Sequence, residues 1–160
     1  MMGRGYQSTL REGQTAPDVE LRTLAGDAVR LSALTSTGSV LLAFFKDTCP
    51  VCQLTLPFLN RARQGRLPVY AVSQDNAERT RAFAREFGIQ YEALIDPADG
   101  YTASNAFGIT QVPSMFVIDP DLTVRWASIG FMKVDIESLA AITGAAILTE
   151  ADNVPVAKPG

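Results

Sequence analysis

Residues 40–57 read VLLAFFKDTCPVCQLTLP, and this stretch decides the fold. It opens with the apolar run VLLAFF, which predicts a strand that is covered on both faces of a sheet. The only two cysteines of the chain, Cys49 and Cys52, follow with two residues between them. A helical pattern comes next and contains Pro57, where a kink is expected because proline lacks a backbone donor. The stretch therefore predicts a buried strand, a Cys-x-x-Cys turn and a helix.

Outward from this stretch, short apolar runs alternate with amphipathic segments. Asp75, three residues before Glu78, predicts a capping box at the start of the longest helix. Alternation of strands and helices requires parallel strands, and a late hairpin adds antiparallel ones. Further strands are predicted over residues 19–24, 28–31, 67–73, 93–95, 115–119 and 122–130, and helices over residues 76–87, 103–107 and 134–142.

The predicted fold class is α/β, with a central mixed β-sheet flanked by helices and an N-terminal β-hairpin. Residues 1–15 lack apolar periodicity and predict a flexible N-terminal arm. Residues 16–144 form the predicted domain, and residues 145–160 predict a poorly ordered C-terminal tail.

The composition excludes several classes of protein. A chain of 160 residues with 47% hydrophobic and 19% charged residues fits one globular domain. The net charge of -3 gives no basic footprint for nucleic acid, and no apolar run approaches the ~20 residues of a membrane span. The N-terminus shows no signal-peptide pattern, so we expect a cytoplasmic protein, or a periplasmic or extracytoplasmic one if a leader was trimmed. The chain has no histidine, which excludes every mechanism that needs one.

The cysteine spacing suits dithiol chemistry. A thiolate at Cys49 can attack a substrate disulfide, and Cys52, one turn further on, can resolve the mixed disulfide. Backbone N–H groups at a helix start favour negative charge on Cys49, and Pro50 suits the first helical turn. A zinc site needs about four ligands, and the chain has no second cysteine pair and no histidine. We therefore expect a redox site without metal or cofactor.

These residues resemble the thioredoxin superfamily, nearest to its TlpA/ResA-like thiol-disulfide oxidoreductases, a branch that overlaps the AhpC/TSA-related redoxins. The resemblance spans about residues 16–144 and rests on the opening hairpin, VLLAFF, CPVC, Pro57 and NAFGITQVPSMFVID. It implies a thioredoxin-like fold and a cis Val112–Pro113 bond beside the dithiol, where the Val112 backbone pairs with a substrate peptide. With Thr48 and Pro50, these are the expected substrate-binding residues. Protein disulfides or dithiols are the implied substrates, together with a redox partner.

The chain departs from the relatives at positions that matter for proton transfer. Many relatives have tryptophan where this chain has Thr48. Ala43 stands where thioredoxin has a buried aspartate, and Thr55 where ResA-like members have a glutamate. Lys46 and Asp47 are the nearest ionisable residues in the sequence, and both are expected to point into solvent. The proton acceptor for the resolving thiol therefore cannot be identified from the sequence.

Two other functions remain open at this stage. A peroxiredoxin-like thiol peroxidase shares the fold, but its Pro-x-x-x-Thr/Ser-x-x-Cys signature fits neither Cys49 nor Cys52. A non-enzymatic thioredoxin-like binding module would carry unused cysteines. We expect a reductase, although reductases, oxidases and isomerases share this apparatus and differ in reduction potential. The oligomeric state does not follow from the sequence.

Overall fold

A computed structural model describes residues 8–96 and 100–160. Most strands of the described residues coincide with apolar runs of the sequence. In chain order they are β1 (Glu20–Thr23), β2 (Ala28–Arg30), β3 (Val40–Phe45), β4 (Val69–Ser73), β5 (Glu92–Ile95), β6 (Ser114–Ile118), β7 (Val124–Ile129), β8 (Phe131–Met132) and β9 (Ala157–Lys158).

Helices connect these strands. They are α1 (Leu31–Leu34), α2 (Pro50–Thr55), α3 (Leu59–Ala62), α4 (Ala77–Phe87), α5 (Thr102–Ala106) and α6 (Lys133–Thr143), with short 3₁₀ turns at Leu56–Phe58 and Glu150–Asp152. The first 3₁₀ turn separates α2 from α3 at the predicted kink, because Pro57 has no N–H to continue the helical ladder.

Seven of the described strands form one mixed sheet in the order β2-β1-β5-β4-β3-β6-β7. The pairs β3–β4 and β4–β5 are parallel, whereas β6 runs antiparallel to β3 and β7 antiparallel to β6. The predicted N-terminal hairpin is formed by β1 and β2, which extend the sheet antiparallel to β5. The α/β thioredoxin-like architecture expected from the sequence is thereby confirmed.

Strand β3 lies inside the sheet and divides the core into two layers. All six of its residues are buried, as the unbroken apolar run predicts. One face packs against α2, α3, α4 and α6, and Cys52 belongs to this layer. The other face packs against α1 and α5, where Phe44, Phe107 and Phe116 stack with ring centroids 5.1–5.9 Å apart. The burial of β3 on both faces fixes where the chain emerges just before the cysteines.

The predicted capping box at the start of α4 is wrong in its cap residue. Asn76 is the N-cap, and its side chain accepts a hydrogen bond from the Arg79 N–H at 2.8 Å. The Asp75 carboxylate instead accepts the backbone N–H of Asp47, 28 residues earlier in the chain, at 2.8 Å. A local pattern cannot show this, because both side chains are competent caps and a distant contact decides between them.

The two chain ends contact the domain. Of the predicted N-terminal arm, residues 1–7 lie outside the described residues, while the Leu10 N–H donates to the Phe107 carbonyl at 3.0 Å. Ile147 is fully buried in the core, and β9 pairs antiparallel with β8. Residues after Gly144 are therefore placed by contacts in this structure, in contrast to the poorly ordered tail predicted from composition. The domain boundaries at residues 16 and 144 stay a prediction.

Candidate active site

Cys49 lies four residues after Phe45, the last residue of β3, and is the N-cap residue of α2. Its backbone is extended, with φ -86° and ψ 112°, and Pro50 takes the first helical turn, where no N–H is needed. The Cys52 N–H donates to the Cys49 sulfur at 3.1 Å. This hydrogen bond ties the Cys49 sulfur to the start of α2, and Cys49 as a whole is half-buried.

Cys52 lies one turn into α2 and is fully buried. Burial raises the pKa of its thiol well above the ordinary value, and the hydrogen bond with Cys49 raises this pKa further. A backbone hydrogen bond from Lys46 acts in the opposite direction. The pair is therefore asymmetric, with a half-buried outer cysteine at Cys49 and a fully buried inner thiol that stays protonated near neutral pH.

The Val112–Pro113 peptide bond is cis, as the resemblance implied. The Cys49 thiol donates a hydrogen bond to the Val112 carbonyl oxygen at 3.4 Å, across 63 residues of chain. Pro113 is buried and Val112 half-buried, while Thr48 and Pro50 are exposed on either side of Cys49. The structure therefore brings all six predicted site residues to the same end of the sheet.

Asp47 is part of a polar network that the sequence reading missed. Arg79 binds its carboxylate with two contacts of 2.7 Å, and Asp75 accepts its N–H at 2.8 Å. Gln53 donates to its carbonyl oxygen at 2.9 Å. The expectation that Asp47 points into solvent is wrong, whereas Lys46 is exposed as expected. Because the partners come from α2, α4 and the loop between β4 and α4, sequence spacing alone gave no signal for this network.

The two positions that carry acids in relatives hold no acid here, and both are buried. The Thr55 hydroxyl donates to the Val51 carbonyl at 2.7 Å, and Ala43 is part of β3. The nearby Tyr91 hydroxyl donates to the Leu56 carbonyl at 2.7 Å. Burial, followed by the neighbouring Cys52, raises the pKa of Tyr91 well above its ordinary value. Tyr91 therefore stays protonated and cannot take the proton of Cys52.

Neither a metal site nor a membrane span is found within residues 8–96 and 100–160. The described His, Cys, Asp and Glu side chains form no group of three or more that could hold a metal ion. No helix among the described residues has the length and apolar character that crossing a membrane requires.

Comparison with known proteins places this geometry in context. Residues 13–127 match the AhpC/TSA family. The chain is 32% identical over 132 residues to the thiol-disulfide oxidoreductase ResA of Geobacillus thermodenitrificans, an alignment that covers 78% of this chain and 74% of ResA.

Solved structures share the fold. The thioredoxin domain of a thiol-disulfide oxidoreductase from Bacteroides vulgatus superposes with a TM-score of 0.72 at 19% identity, covering 84% of this chain and 99% of that domain. Peroxidoxin BcpB from Mycobacterium tuberculosis superposes with a TM-score of 0.68 at 25% identity, covering 84% of this chain and 97% of that protein.

Proposed function

The chain belongs to the AhpC/TSA family, and from this premise we propose that, as a thiol-disulfide oxidoreductase, it uses Cys49 and Cys52 to reduce disulfide bonds of protein substrates. One observation carries the proposal. The sulfur of the half-buried Cys49 lies between the Cys52 N–H at 3.1 Å and the Val112 carbonyl at 3.4 Å, and the second thiol is fully buried. A nucleophile, a resolving thiol and a backbone segment at Val112 with which a peptide can pair thus lie next to one another.

The reaction proceeds by two exchanges. The Cys49 thiolate attacks one sulfur of the substrate disulfide, forms a mixed disulfide and releases the first substrate sulfur as a thiolate that takes up a proton. Cys52 then loses its proton and attacks the Cys49 sulfur, which releases the second substrate thiol and leaves a Cys49–Cys52 disulfide. The substrate gains two electrons and two protons, and an external dithiol partner returns the protein to its reduced form.

The direction towards reduction rests on how the reduced form is stabilised. A strong oxidant such as DsbA owes its potential to a stabilised reduced form. Among the described hydrogen bonds, the Cys49 sulfur receives one backbone N–H, from Cys52, and no arginine or lysine side chain. The buried Cys52 has no charged donor in that set either. Among the described hydrogen bonds, no charged side chain therefore stabilises a thiolate of the reduced pair, which favours a reductase over a DsbA-like oxidant.

Reduced protein, Cys49→Ser and Cys52→Ser should be tested in single turnover against oxidised insulin and 5,5′-dithiobis-(2-nitrobenzoate). We expect Cys49→Ser to react no faster than the probe alone in buffer, because the attacking sulfur is gone. Cys52→Ser should react once and remain covalently attached to the probe, which mass spectrometry detects. Normal turnover by Cys49→Ser would contradict the assigned roles.

A thiol peroxidase is the second candidate, and the likeness to peroxidoxin BcpB is the observation that favours it. A peroxidase oxidises its cysteine to a sulfenic acid with peroxide, which leaves as water or alcohol, and Cys52 would then form the disulfide. Peroxide consumption by the reduced protein separates the two functions. Rapid consumption with a trapped sulfenic acid on Cys49 would favour the peroxidase, and slow consumption beside rapid insulin reduction the reductase. The cellular compartment stays a prediction from the sequence.

A further inference from the structure

Residues 156–160, named here the return segment, come back to the active site along the edge of β8. Ala157 and Lys158 pair antiparallel with Met132 and Phe131. The Lys133 N–H, at the start of α6, donates to the Val156 carbonyl at 2.9 Å. The segment thus enters the site as an extended strand that is held by backbone hydrogen bonds.

Two glycines show how closely the return segment is seated. A β-carbon on Gly160 would overlap the Val112 carbonyl oxygen, so the chain passes directly against that group. A β-carbon on Gly130 would lie 2.7 Å from the Lys158 carbonyl oxygen, and Gly130 has φ +71°. Both approaches require a residue without a side chain.

The return segment and the Cys49 sulfur share one partner. The Cys49 thiol donates to the Val112 carbonyl at 3.4 Å, and Gly160 lies against the same carbonyl. Gly160 also lines a cleft of about 300 Å³ together with Lys46, Gln111 and Val112. A peptide that brings its disulfide to Cys49 and pairs with the Val112 backbone needs the space that the segment fills.

The return segment is weakly held. All five of its residues are exposed, and the side chain of Val156 is 73% exposed. The return segment pairs over two residues and contributes no buried side chain of its own, whereas Phe131 of β8 is buried. Such short exposed segments add little stability and open at low free-energy cost. A peptide that forms the same backbone hydrogen bonds can therefore replace it.

We infer, resting on the proposed function, that the return segment acts as a built-in competitor of the substrate. It occupies the backbone strip along β8 and Val112 that an extended substrate peptide needs. This is recognition by strand addition, in which the backbone provides affinity and neighbouring side chains provide preference. Met132 and Val134 are 36% and 61% exposed beside the strip, so the substrate class is extended peptides with apolar residues near the disulfide.

Three variants test the inference in the reduced protein: deletion of residues 156–160, Gly160→Ala, and Lys158→Ala. Lys158→Ala is the matched control, because it removes an exposed side chain and keeps the strand backbone. We expect the deletion and Gly160→Ala to raise kcat/KM for oxidised insulin severalfold. Their rates with 5,5′-dithiobis-(2-nitrobenzoate), which needs no strand pairing, should change much less, and Lys158→Ala should match the unmodified chain with both probes.

A second measurement does not depend on the deletion being folded. A disulfide-containing peptide is trapped on Cys49 of the Cys52→Ser variant, and amide hydrogen exchange is compared with the free variant. Lys133 should stay protected while the paired residues Ala157 and Lys158 lose protection. Unchanged protection of these two residues, or equal insulin rates for all variants, would overturn the inference. If the unmodified chain reduces neither probe, the proposed function fails instead.

Discussion

Asp47 illustrates at the residue scale how the loop before the cysteines is held. Its carboxylate, N–H and carbonyl are each bound, by Arg79, Asp75 and Gln53. The adjacent Lys46 backbone makes the hydrogen bond that lowers the pKa of Cys52. We therefore regard Arg79 as a positioning residue that acts on Cys52 through this loop.

Replacing Arg79 should slow the resolving step. In Arg79→Leu the loop is released, the Lys46 hydrogen bond weakens and the pKa of Cys52 rises further. We expect a severalfold longer-lived mixed disulfide and a resolving step whose pH profile moves to higher pH, measured by single-turnover kinetics. Arg79→Lys should rescue part of the loss, and Arg81→Leu, on the same helix, should have no effect. If the pH profile of the resolving step in Arg79→Leu does not shift, Arg79 has only a structural role and does not act on Cys52.

The raised pKa values of Cys52 and Tyr91 predict that the protein becomes less stable at alkaline pH. Both have a folded-state pKa above the ordinary values of 9.0 and 10.0, so the unfolded chain loses these protons first. The contribution of these two groups to the free energy of unfolding is therefore fully present below about pH 9. It decreases as the pH rises, by up to about 1.4 kcal/mol per pH unit for each group. Urea unfolding from pH 8 to 10 should show a shallower decline for Cys52→Ala. An identical slope in both proteins would show that Cys52 ionises equally in the folded state.

Single elements were predictable where their signal is local. The unbroken apolar run coincides with β3, and a glycine directly follows the last residue of α4 and of α6. Each signal therefore lies within or next to the element that it bounds. The cysteine spacing likewise placed the dithiol at a helix start. The cap at Asn76 was missed because a contact between Asp75 and Asp47 competes with the local pattern.

The last strand, β9, was not predictable for a different reason. Residues 145–160 contain Pro155, Pro159 and Gly160, and such a composition indicates a tail. The structure holds this segment by long-range contacts, among them the ion pair between Arg61 and Asp152 at 2.8 Å. The sequence separation of 91 residues hides such a pair from local analysis.

The Arg61–Asp152 pair should anchor the elements that lead to β9. Its hydrogen bonds, with that of the Thr149 N–H, hold the pKa of Asp152 well below its usual range. A lowered carboxylate pKa stabilises the folded state above the unfolded-state value of about 4 and ceases to do so as the pH falls towards the folded-state pKa. Asp152→Asn should therefore lower Tm and speed exchange of residues 149–158 at pH 7, with a smaller difference at pH 3.

Glu150→Gln is the matched control, since Glu150 is an exposed acid in the same turn. It should leave both Tm and exchange near those of the unmodified chain. Equal effects of the two variants would mean that general charge, and not the ion pair with Arg61, governs this segment.

The whole molecule places its chemistry at one end of a mixed sheet. Because β3 and β4 are parallel, the Cys49 and Asp75 regions that follow them lie at the same end of the sheet. Strand β6 runs antiparallel to β3, so Val112 and Pro113, which precede it, lie at this end too. The fold and the dithiol followed from the sequence through local pattern and family resemblance. The network at Asp47 and the return segment at Val112 depend on the assembled molecule, and so only the structure reveals them.

A redox titration of the Cys49–Cys52 pair tests the central claim most directly. The protein is equilibrated in dithiothreitol buffers of graded potential, and the oxidised fraction is measured by alkylation and mass spectrometry. We expect one reversible two-electron transition, with a midpoint nearer the roughly -270 mV of thioredoxin than the roughly -120 mV of DsbA. Failure to form a reversible Cys49–Cys52 disulfide, or a midpoint near that of DsbA, would contradict the assignment as a dithiol reductase.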